Sequence, residues 1–251
     1  MLSGLLSGII SEAVYYLAYI LPFLGVIVFA GREKGEKNLF RLNKRCVGLF
    51  LPTVFPTVAS VILISSAVSA LIFIISGKSS SVDIGDNIAV ALVLHAAVPA
   101  ALEELLFRYL PIRYISHYSR GYAVAFSSLM FALVHHSFFS IPYALFAGVV
   151  FMTVDLLCDS IWPSIIIHFV NNAVSVIWTI CFSTAEGGRA VVLTVCLLGA
   201  LSLAVMIFKR REYIVGVKKI FAEKVELIFA PEMLGVIVSA AILAIYELTV
   251  I

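Results

Sequence analysis

Two adjacent glutamates and an arginine stand inside a hydrophobic segment of this 251-residue chain. Glu103 and Glu104 lie in a run of apolar residues that begins near Ile88, and Arg108 follows Glu104 by four residues. Each charged side chain inside a membrane costs roughly 2.5–3.5 kcal/mol on insertion scales, and ionisable residues there usually mark a functional site. The segment therefore predicts a polar site within the membrane. The alternative is a buried ion pair that only holds helices together.

The spacing of these charges predicts different roles for the two glutamates. Residues four apart share one face of a helix, so Glu104 and Arg108 can form an ion pair. Glu103 is turned by about 100° around the helix and has no cation at that spacing. Glu104 is therefore expected to be neutralised within its own helix, and Glu103 to be available for acid–base chemistry. Pro99, one turn earlier, lacks an N–H and is expected to kink the helix.

Three more polar side chains in the hydrophobic segments could join these charges. Asn172 follows His168 by four residues, so the two share a helix face, and His135 follows Phe131 in an earlier segment. Taken alone, each histidine fits a packed core residue equally well. Polar groups in hydrocarbon, however, find partners only in one another, in the backbone or in water. We therefore expect these side chains and Glu103 to converge on one cavity.

The order and spacing of these residues resemble three motifs of one protease family. The motifs are Glu103-Glu104-x-x-x-Arg108, Phe131-x-x-x-His135 and His168-x-x-x-Asn172, the last preceded by Trp162-Pro163-Ser164. The chain is similar, over about residues 88–183, to the CPBP family of CAAX proteases and bacteriocin-processing (ABI) enzymes. These are related to type II prenyl-protein CAAX endopeptidases. The resemblance implies an α-helical membrane bundle and a glutamate-dependent intramembrane endopeptidase.

The resemblance also implies a role for each catalytic residue. Glu103 would act as general base on a water that His135 helps to hold. His168 and Asn172 would donate hydrogen bonds to the oxyanion, and losing one such donor typically lowers the rate by ~10²–10³.

The remaining motif residues would support this group. Arg108 would hold Glu104 and stabilise the end of the helix. No metal or cofactor is expected. The alternative is zinc catalysis, because Glu103, His135 and His168 are also plausible zinc ligands. The chain has no His-Glu-x-x-His sequence, however, and an asparagine is an unusual ligand.

The composition places this site in a membrane protein. The chain is 62% hydrophobic and 13% charged, with a mean hydropathy of +1.11, which is far from the composition of a soluble globular domain. We predict an all-α, polytopic transmembrane helix bundle that forms a single membrane domain over residues 1–251. About eight segments qualify or nearly qualify as spans: residues 9–30, 47–75, 88–110, 122–139, 141–158, 161–182, 190–208 and 233–251.

Basic residues predict the orientation of the bundle in the cell membrane. Segments 32–45, 108–120 and 209–224 hold fifteen of the 17 lysines and arginines, and the alternate connections hold only Lys78 and Arg189. By the positive-inside rule the basic loops are cytoplasmic and both termini lie outside. Apolar and charged residues also alternate at helical spacing over 214–228, which predicts an amphipathic helix at the cytoplasmic interface.

Functions from three classes fit these features. The leading hypothesis is an endopeptidase that cleaves a membrane-associated or lipidated peptide or protein, in CAAX-type processing, peptide maturation or bacteriocin immunity. The alternatives are a non-catalytic membrane scaffold that keeps the fold and a proton-coupled transporter. A transporter would predict internal repeats or paired broken helices, and the sequence shows neither. No nucleic-acid partner is expected. Asp155 and Asp159, near the end of segment 141–158, are secondary candidates for substrate contact.

Overall fold

The computed structural model describes residues 38–77, 87–116, 119–135, 137, 139–181 and 185–222, together with isolated positions between 14 and 28. Within these ranges every regular element is helical. Of the predicted spans, 9–30 falls largely and 233–251 wholly outside the described residues. The structure therefore bears on the six spans between them.

The described ranges contain a succession of helices joined by short connections. In chain order they are α1 (Lys44–Phe50), α2 (Val54–Ser76), α3 (Ile88–Tyr114), α4 (Arg120–Leu133), α5 (Ile141–Cys158), α6 (Trp162–Cys181), α7 (Ala185–Phe208) and α8 (Arg210–Phe221). Five helices of this part of the chain are long and apolar enough to cross a membrane: Lys44–Ile75, which joins α1 and α2, and then α3, α5, α6 and α7. The chain is thus a multi-pass membrane protein.

Helix α3, which carries the two glutamates, is interrupted twice by π-helical turns. These turns are Val93–Ala97 and Leu105–Tyr109. Each one precedes a proline, Pro99 or Pro111, which lies in the first turn of the α-helical segment that follows. A proline has no N–H and its ring crowds the carbonyl four residues earlier, and the wider π turn accommodates both effects. A π turn, a feature frequent at functional sites, thus lies directly before Pro99, where a kink was predicted.

Helices α4 and α5 form a closely packed antiparallel pair. A Cβ added to Gly148 would lie 2.9 Å from the Cα of Ser128 on the facing helix. Small residues permit this approach between membrane helices. Helix α4 ends at Leu133, whereas the sequence predicted a span to residue 139. The prediction was too long because the Ser137 carbonyl accepts the N–H groups of Ser140 and Ile141 and so begins the next turn.

The basic segments of the described chain meet at one end of the bundle. Lys209 Nζ donates to the carbonyl of Gly48 in α1 at 2.8 Å, and the Tyr213 hydroxyl of α8 donates to the carbonyl of Leu49. Burial raises the pKa of Tyr213 to about 12, so this hydroxyl keeps its proton. The buried Ile220 packs α8 against α4 and α5. Helix α8 covers the first part of the predicted amphipathic helix, and residues beyond 222 lie outside the described chain.

Candidate active site

A fully buried ion pair lies at the centre of the site. Arg108 Nε is 3.0 Å from Glu104 Oε2, and both side chains are 0% exposed. The pair predicted from the i,i+4 spacing is therefore present. Because Arg108 is buried among the helices, it does not belong with the loop charges used to predict the orientation. Segment 108–120 then contributes Arg113 and Arg120 to that pattern.

The Arg108 guanidinium also has partners on α4 and α5. Its Nη1 donates to Ser127 Oγ at 3.0 Å and to the carbonyl of Phe107 at 3.1 Å. Its Cζ lies 4.5 Å from the centroid of the Phe131 ring and 5.5 Å from that of Phe151. Hydrogen bonds and cation–π contacts offset part of the cost of removing the charge from water. Arg108 thereby connects α3 to both helices of the α4–α5 pair.

Glu104 connects α3 to α6 through His168. The separation between His168 Nδ1 and Glu104 Oε1 is 2.8 Å, and the imidazole is 6% exposed. Since Glu104 is the acidic partner of Arg108, the ring nitrogen is the donor. The two oxygens of Glu104 are thus divided between an arginine and a histidine. The hydrogen bond at Nδ1 fixes the orientation of the His168 ring and therefore the direction in which Nε2 points.

Glu103 lies beside the opposite nitrogen of the same imidazole. Its Oε2 is 3.9 Å from His168 Nε2, and its side chain is 6% exposed. The adjacent glutamates therefore stand on the two sides of one histidine ring. His168 therefore lies between the two glutamates, an arrangement that no spacing within α3 predicts.

His135 follows the end of α4 and contacts the site through an aromatic ring. Its Nδ1 is 2.7 Å from the carbonyl oxygen of Phe131. The centroid of the Phe131 ring lies 4.9 Å from the His135 ring and 5.6 Å from the His168 ring. The two histidines therefore flank the same phenylalanine. The early end of α4 leaves His135 in the turn before α5 rather than within a helix.

Tyr143 is a residue near the site that the sequence analysis missed. Its ring centroid is 6.5 Å from that of His135, and its hydroxyl donates to Ser140 Oγ at 3.0 Å. It also interacts electrostatically with Glu103. A tyrosine in the first turn of an apolar helix gives no signal in the sequence, since only the fold brings it toward the glutamate.

Asn172 lies one helical turn after His168 and is half-buried at the margin of the site. Asn171 Nδ2 donates to Asn172 Oδ1 at 3.2 Å. These two neighbouring side chains of α6 are therefore hydrogen-bonded to each other. Among the described residues, Asn172 makes no hydrogen bond to either glutamate. The structure thus brings four of the predicted residues into one cluster, namely Glu103, Glu104, Arg108 and His168. Asn172 lies one helical turn away from this cluster.

Asp155 does not face a substrate as the sequence analysis suggested. Its side chain is fully buried, and its Oδ1 accepts the backbone N–H of Ser164 at 2.9 Å. Burial among α5 and α6 removes it from any surface that a peptide could reach. Asp159, in contrast, is exposed at the end of α5 and lies 3.8 Å from Arg120.

The described residues contain no set of three His, Cys, Asp or Glu side chains that could hold a metal ion. The two nitrogens of His168 instead face carboxylate oxygens of Glu103 and Glu104. The zinc alternative therefore lacks a ligand set in this part of the chain. The arrangement suits proton transfer and hydrogen bonding.

A comparison with known protein families agrees with this geometry. Residues 85–174 match a family model described as type II CAAX prenyl endopeptidase, Rce1-like. The matched segment begins just before α3 and ends within α6, so it includes every residue of the cluster. No curated protein and no solved structure matches the chain. This match over residues 85–174 supports the assignment of the chain to the CPBP family of CAAX proteases.

Proposed function

We propose that this protein is an intramembrane endopeptidase in which Glu103 activates a water molecule for attack on a peptide carbonyl. One observation carries the proposal: the two glutamates divide the nitrogens of His168 between them. Glu104 is held between Arg108 and Nδ1, whereas Glu103 stands near Nε2. Glu104 therefore orients the ring, and Glu103 is the carboxylate placed for chemistry.

In the proposed reaction, the Glu103 carboxylate takes a proton from the water while the water oxygen attacks the carbonyl carbon. His135 donates from Nδ1 to the Phe131 carbonyl, so its Nε2 is the nitrogen that would accept from this water. The carbonyl oxygen becomes an oxyanion, which accepts hydrogen bonds from Asn172 Nδ2 and His168 Nε2. Because His168 Nδ1–H already donates to Glu104, donation from Nε2 requires the doubly protonated form of this ring. Glu103 then gives its proton to the leaving nitrogen, and the C–N bond breaks. One water is consumed, and a new carboxyl and a new amino group are formed.

The position of Asn171 supports the role of Asn172 in this scheme. The Asn171 amide donates to Asn172 Oδ1, so the oxygen end of the Asn172 amide is occupied. Its Nδ2 is then the group that can donate to a carbonyl oxygen. Because Asn172 lies one turn after His168, both donors would meet an oxyanion from the same helix face.

The substrate class that we infer is a peptide or protein attached to the membrane, with a prenylated C-terminal segment as the first candidate. The description of the matched family supports this choice. Four helices, α3 to α6, contribute to or contact the buried cluster, and a site among membrane helices suits a substrate that is itself held at the membrane. Peptide maturation and bacteriocin immunity are alternative roles, and the peptides identified in the first test below would distinguish them.

The first test compares the peptides released in membranes of cells that express the wild type, Glu103→Gln or Glu212→Gln at equal levels. The first variant keeps the shape of Glu103 but cannot accept the proton, and the second makes the same change at an exposed carboxylate of α8, outside the cluster. We expect fragments with the wild type and Glu212→Gln that vanish with Glu103→Gln. If the three profiles coincide and Glu103→Gln complements a deletion strain, Glu103 is not the base and the scaffold function is favoured.

A second test uses purified protein in lipid nanodiscs with a peptide that ends in a farnesylated CAAX sequence. We expect cleavage of the farnesylated peptide, weaker cleavage of the same peptide without the lipid, and no effect of 1,10-phenanthroline. Cleavage that the chelator abolishes would instead support the zinc mechanism.

We also infer that the basic end of the bundle faces the cytoplasm, as the positive-inside rule predicts. The convergence of α1, α8 and the basic segments on one end supports this orientation. A membrane-impermeant maleimide should label Lys78→Cys in intact cells and Lys219→Cys only after permeabilisation. The reverse pattern would contradict the orientation.

Helix α8 is also suited to the interface between membrane and cytoplasm. Tyr213 and Ile220 face the protein, whereas Ile214 and Phe221 are 51% and 48% exposed beside the basic Lys218. Exposed apolar and basic residues on one helix are typical of contact with anionic headgroups. This supports the predicted interfacial helix.

A further inference from the structure

A buried carboxylate outside the three motifs, that of Asp155, lies close to the catalytic cluster. Asp155 belongs to α5 and is 0% exposed. Burying a carboxylate is costly unless it is hydrogen-bonded. Asp155 has no role in the reaction proposed above, and its burial rules out direct contact with a substrate.

The partner of Asp155 is Ser164, in the first turn of α6. Ser164 is fully buried, and its backbone N–H donates to Asp155 Oδ1 at 2.9 Å. The first N–H groups of a helix have no partner within the helix itself, and a carboxylate is favoured at that end by the helix dipole. A side chain of α5 therefore caps α6. The contact fixes where α6 begins relative to α5.

Ser164 also connects this cap to the face of α6 that carries His168. Its hydroxyl donates to the carbonyl of Ile161 at 3.0 Å, which further holds the first turn of the helix. Ser164 lies four residues before His168, so the two share one face of α6. Two contacts thus fix this face of α6: Asp155 holds its start at Ser164, and Glu104 holds His168 Nδ1 one turn later.

We propose that Asp155 is a positioning residue for the active site. By capping α6 at Ser164, it sets the rotation and height of the helix face that carries His168. This keeps His168 Nδ1 within hydrogen-bond distance of Glu104 and directs Nε2 toward Glu103. The proposed consequence for the reaction rests on the endopeptidase function inferred above, whereas the contact with His168 can be tested without a substrate.

The test records ¹⁵N signals of histidine in the labelled full-length protein in detergent micelles. The chain has five histidines, so the spectrum is simple, and the His168 signals are identified by their absence from His168→Gln. We expect Asp155→Ala to lose the slowly exchanging Nδ1–H signal of His168. Asp155→Asn keeps an oxygen that can accept from Ser164 and should retain this signal. The control Asp159→Ala, at the exposed end of the same helix, should resemble the wild type.

A wild-type Nδ1–H signal in folded Asp155→Ala would overturn the proposal, even if the variant melted at a lower temperature, because it would show a purely structural role. If Asp155→Ala does not fold, Asp155→Glu decides. That variant keeps the carboxylate but moves it by one methylene group relative to the N–H of Ser164, and it should shift the His168 signal. An unchanged signal there would equally contradict the proposal.

Activity distinguishes this proposal from the function on which it rests. If the wild type cleaves the farnesylated peptide, Asp155→Ala should lower kcat more than it raises KM, and Asp155→Asn should restore most of kcat. If the wild type releases no peptide in any assay, the endopeptidase function fails. The histidine signals still decide whether Asp155 positions His168.

Discussion

The helices that form the site and the helix that follows them are held in the protein in different ways. In α5 half of the spanning residues (50%) are buried inside the protein, against 11% in α7. Helix α5 contributes a buried acid, a glycine in close contact with α4 and a phenylalanine beside Arg108. Helix α7 instead presents Leu193, Leu197 and Leu201, each more than 60% exposed, along one face.

This difference reflects what holds helices together in a membrane. Lipid tails are as apolar as leucine, so an apolar face gains little by leaving lipid for protein. Close packing of small residues and hydrogen bonds between polar groups must therefore provide the association. Helices α3 to α6 have both, and the polar groups that join them include those to which we assign the proposed chemistry. Four substitutions test this contrast.

The largest effect is expected from Arg108→Met, in the site region. It leaves Glu104 buried without its cation, and breaking one partner of a buried pair costs ~3–5 kcal/mol. Thermal unfolding in detergent, followed by circular dichroism, measures the loss. The double variant Arg108→Met/Glu104→Gln should be more stable than Arg108→Met alone, because no uncompensated charge remains. Equal stability of the single variant and the wild type would show that the ion pair does not hold the bundle.

Asn172→Ala should lower kcat by ~10²–10³ with little change in stability, as expected for loss of one oxyanion donor. The rate is measured on the farnesylated peptide in nanodiscs. The matched control is Asn171→Ala, which removes the neighbouring amide and should have a smaller effect. If the two variants lose activity equally, Asn171 and Asn172 act as a unit and the assignment to Asn172 alone is wrong.

Gly148→Ala should destabilise the α4–α5 pair by about 1–3 kcal/mol, because the new methyl group meets the backbone of Ser128 and overpacks the contact. Gly25→Ala is the control, since an added Cβ there meets no described atom within 4 Å. The melting temperatures of the two variants should differ clearly. A Gly148→Ala protein as stable as the control would mean that α4 and α5 can move apart without cost.

The smallest effect is expected in α7. Leu197→Ala removes apolar surface that faces lipid, and substitutions away from packed features usually change stability by less than ~0.5 kcal/mol. Its melting temperature and peptidase activity should both resemble those of the wild type. A large loss of stability would show that a further part of the protein covers this face of α7.

The features predicted from sequence alone are those that depend on neighbours along the chain. Hydropathy over a window located the five long spans, and an i,i+4 spacing identified the Glu104–Arg108 pair. The end of α4 was placed too late because apolar residues continue to Phe139, whereas hydrogen bonds to the Ser137 carbonyl already form the turn before α5. Tyr143 was missed because its proximity to the glutamate arises between helices.

The sequence by itself determined that this is a helical membrane protein in which Glu104 is spaced to pair with Arg108 and Glu103 is not. It could do so because composition, helical period and motif spacing are local properties. The tertiary structure alone decided that Glu104 joins Arg108 to His168, and that Asp155 is a buried cap of α6 rather than a substrate contact. These contacts depend on the relative rotation and height of α3, α5 and α6. Packing between helices sets those quantities, and no spacing within one helix encodes them.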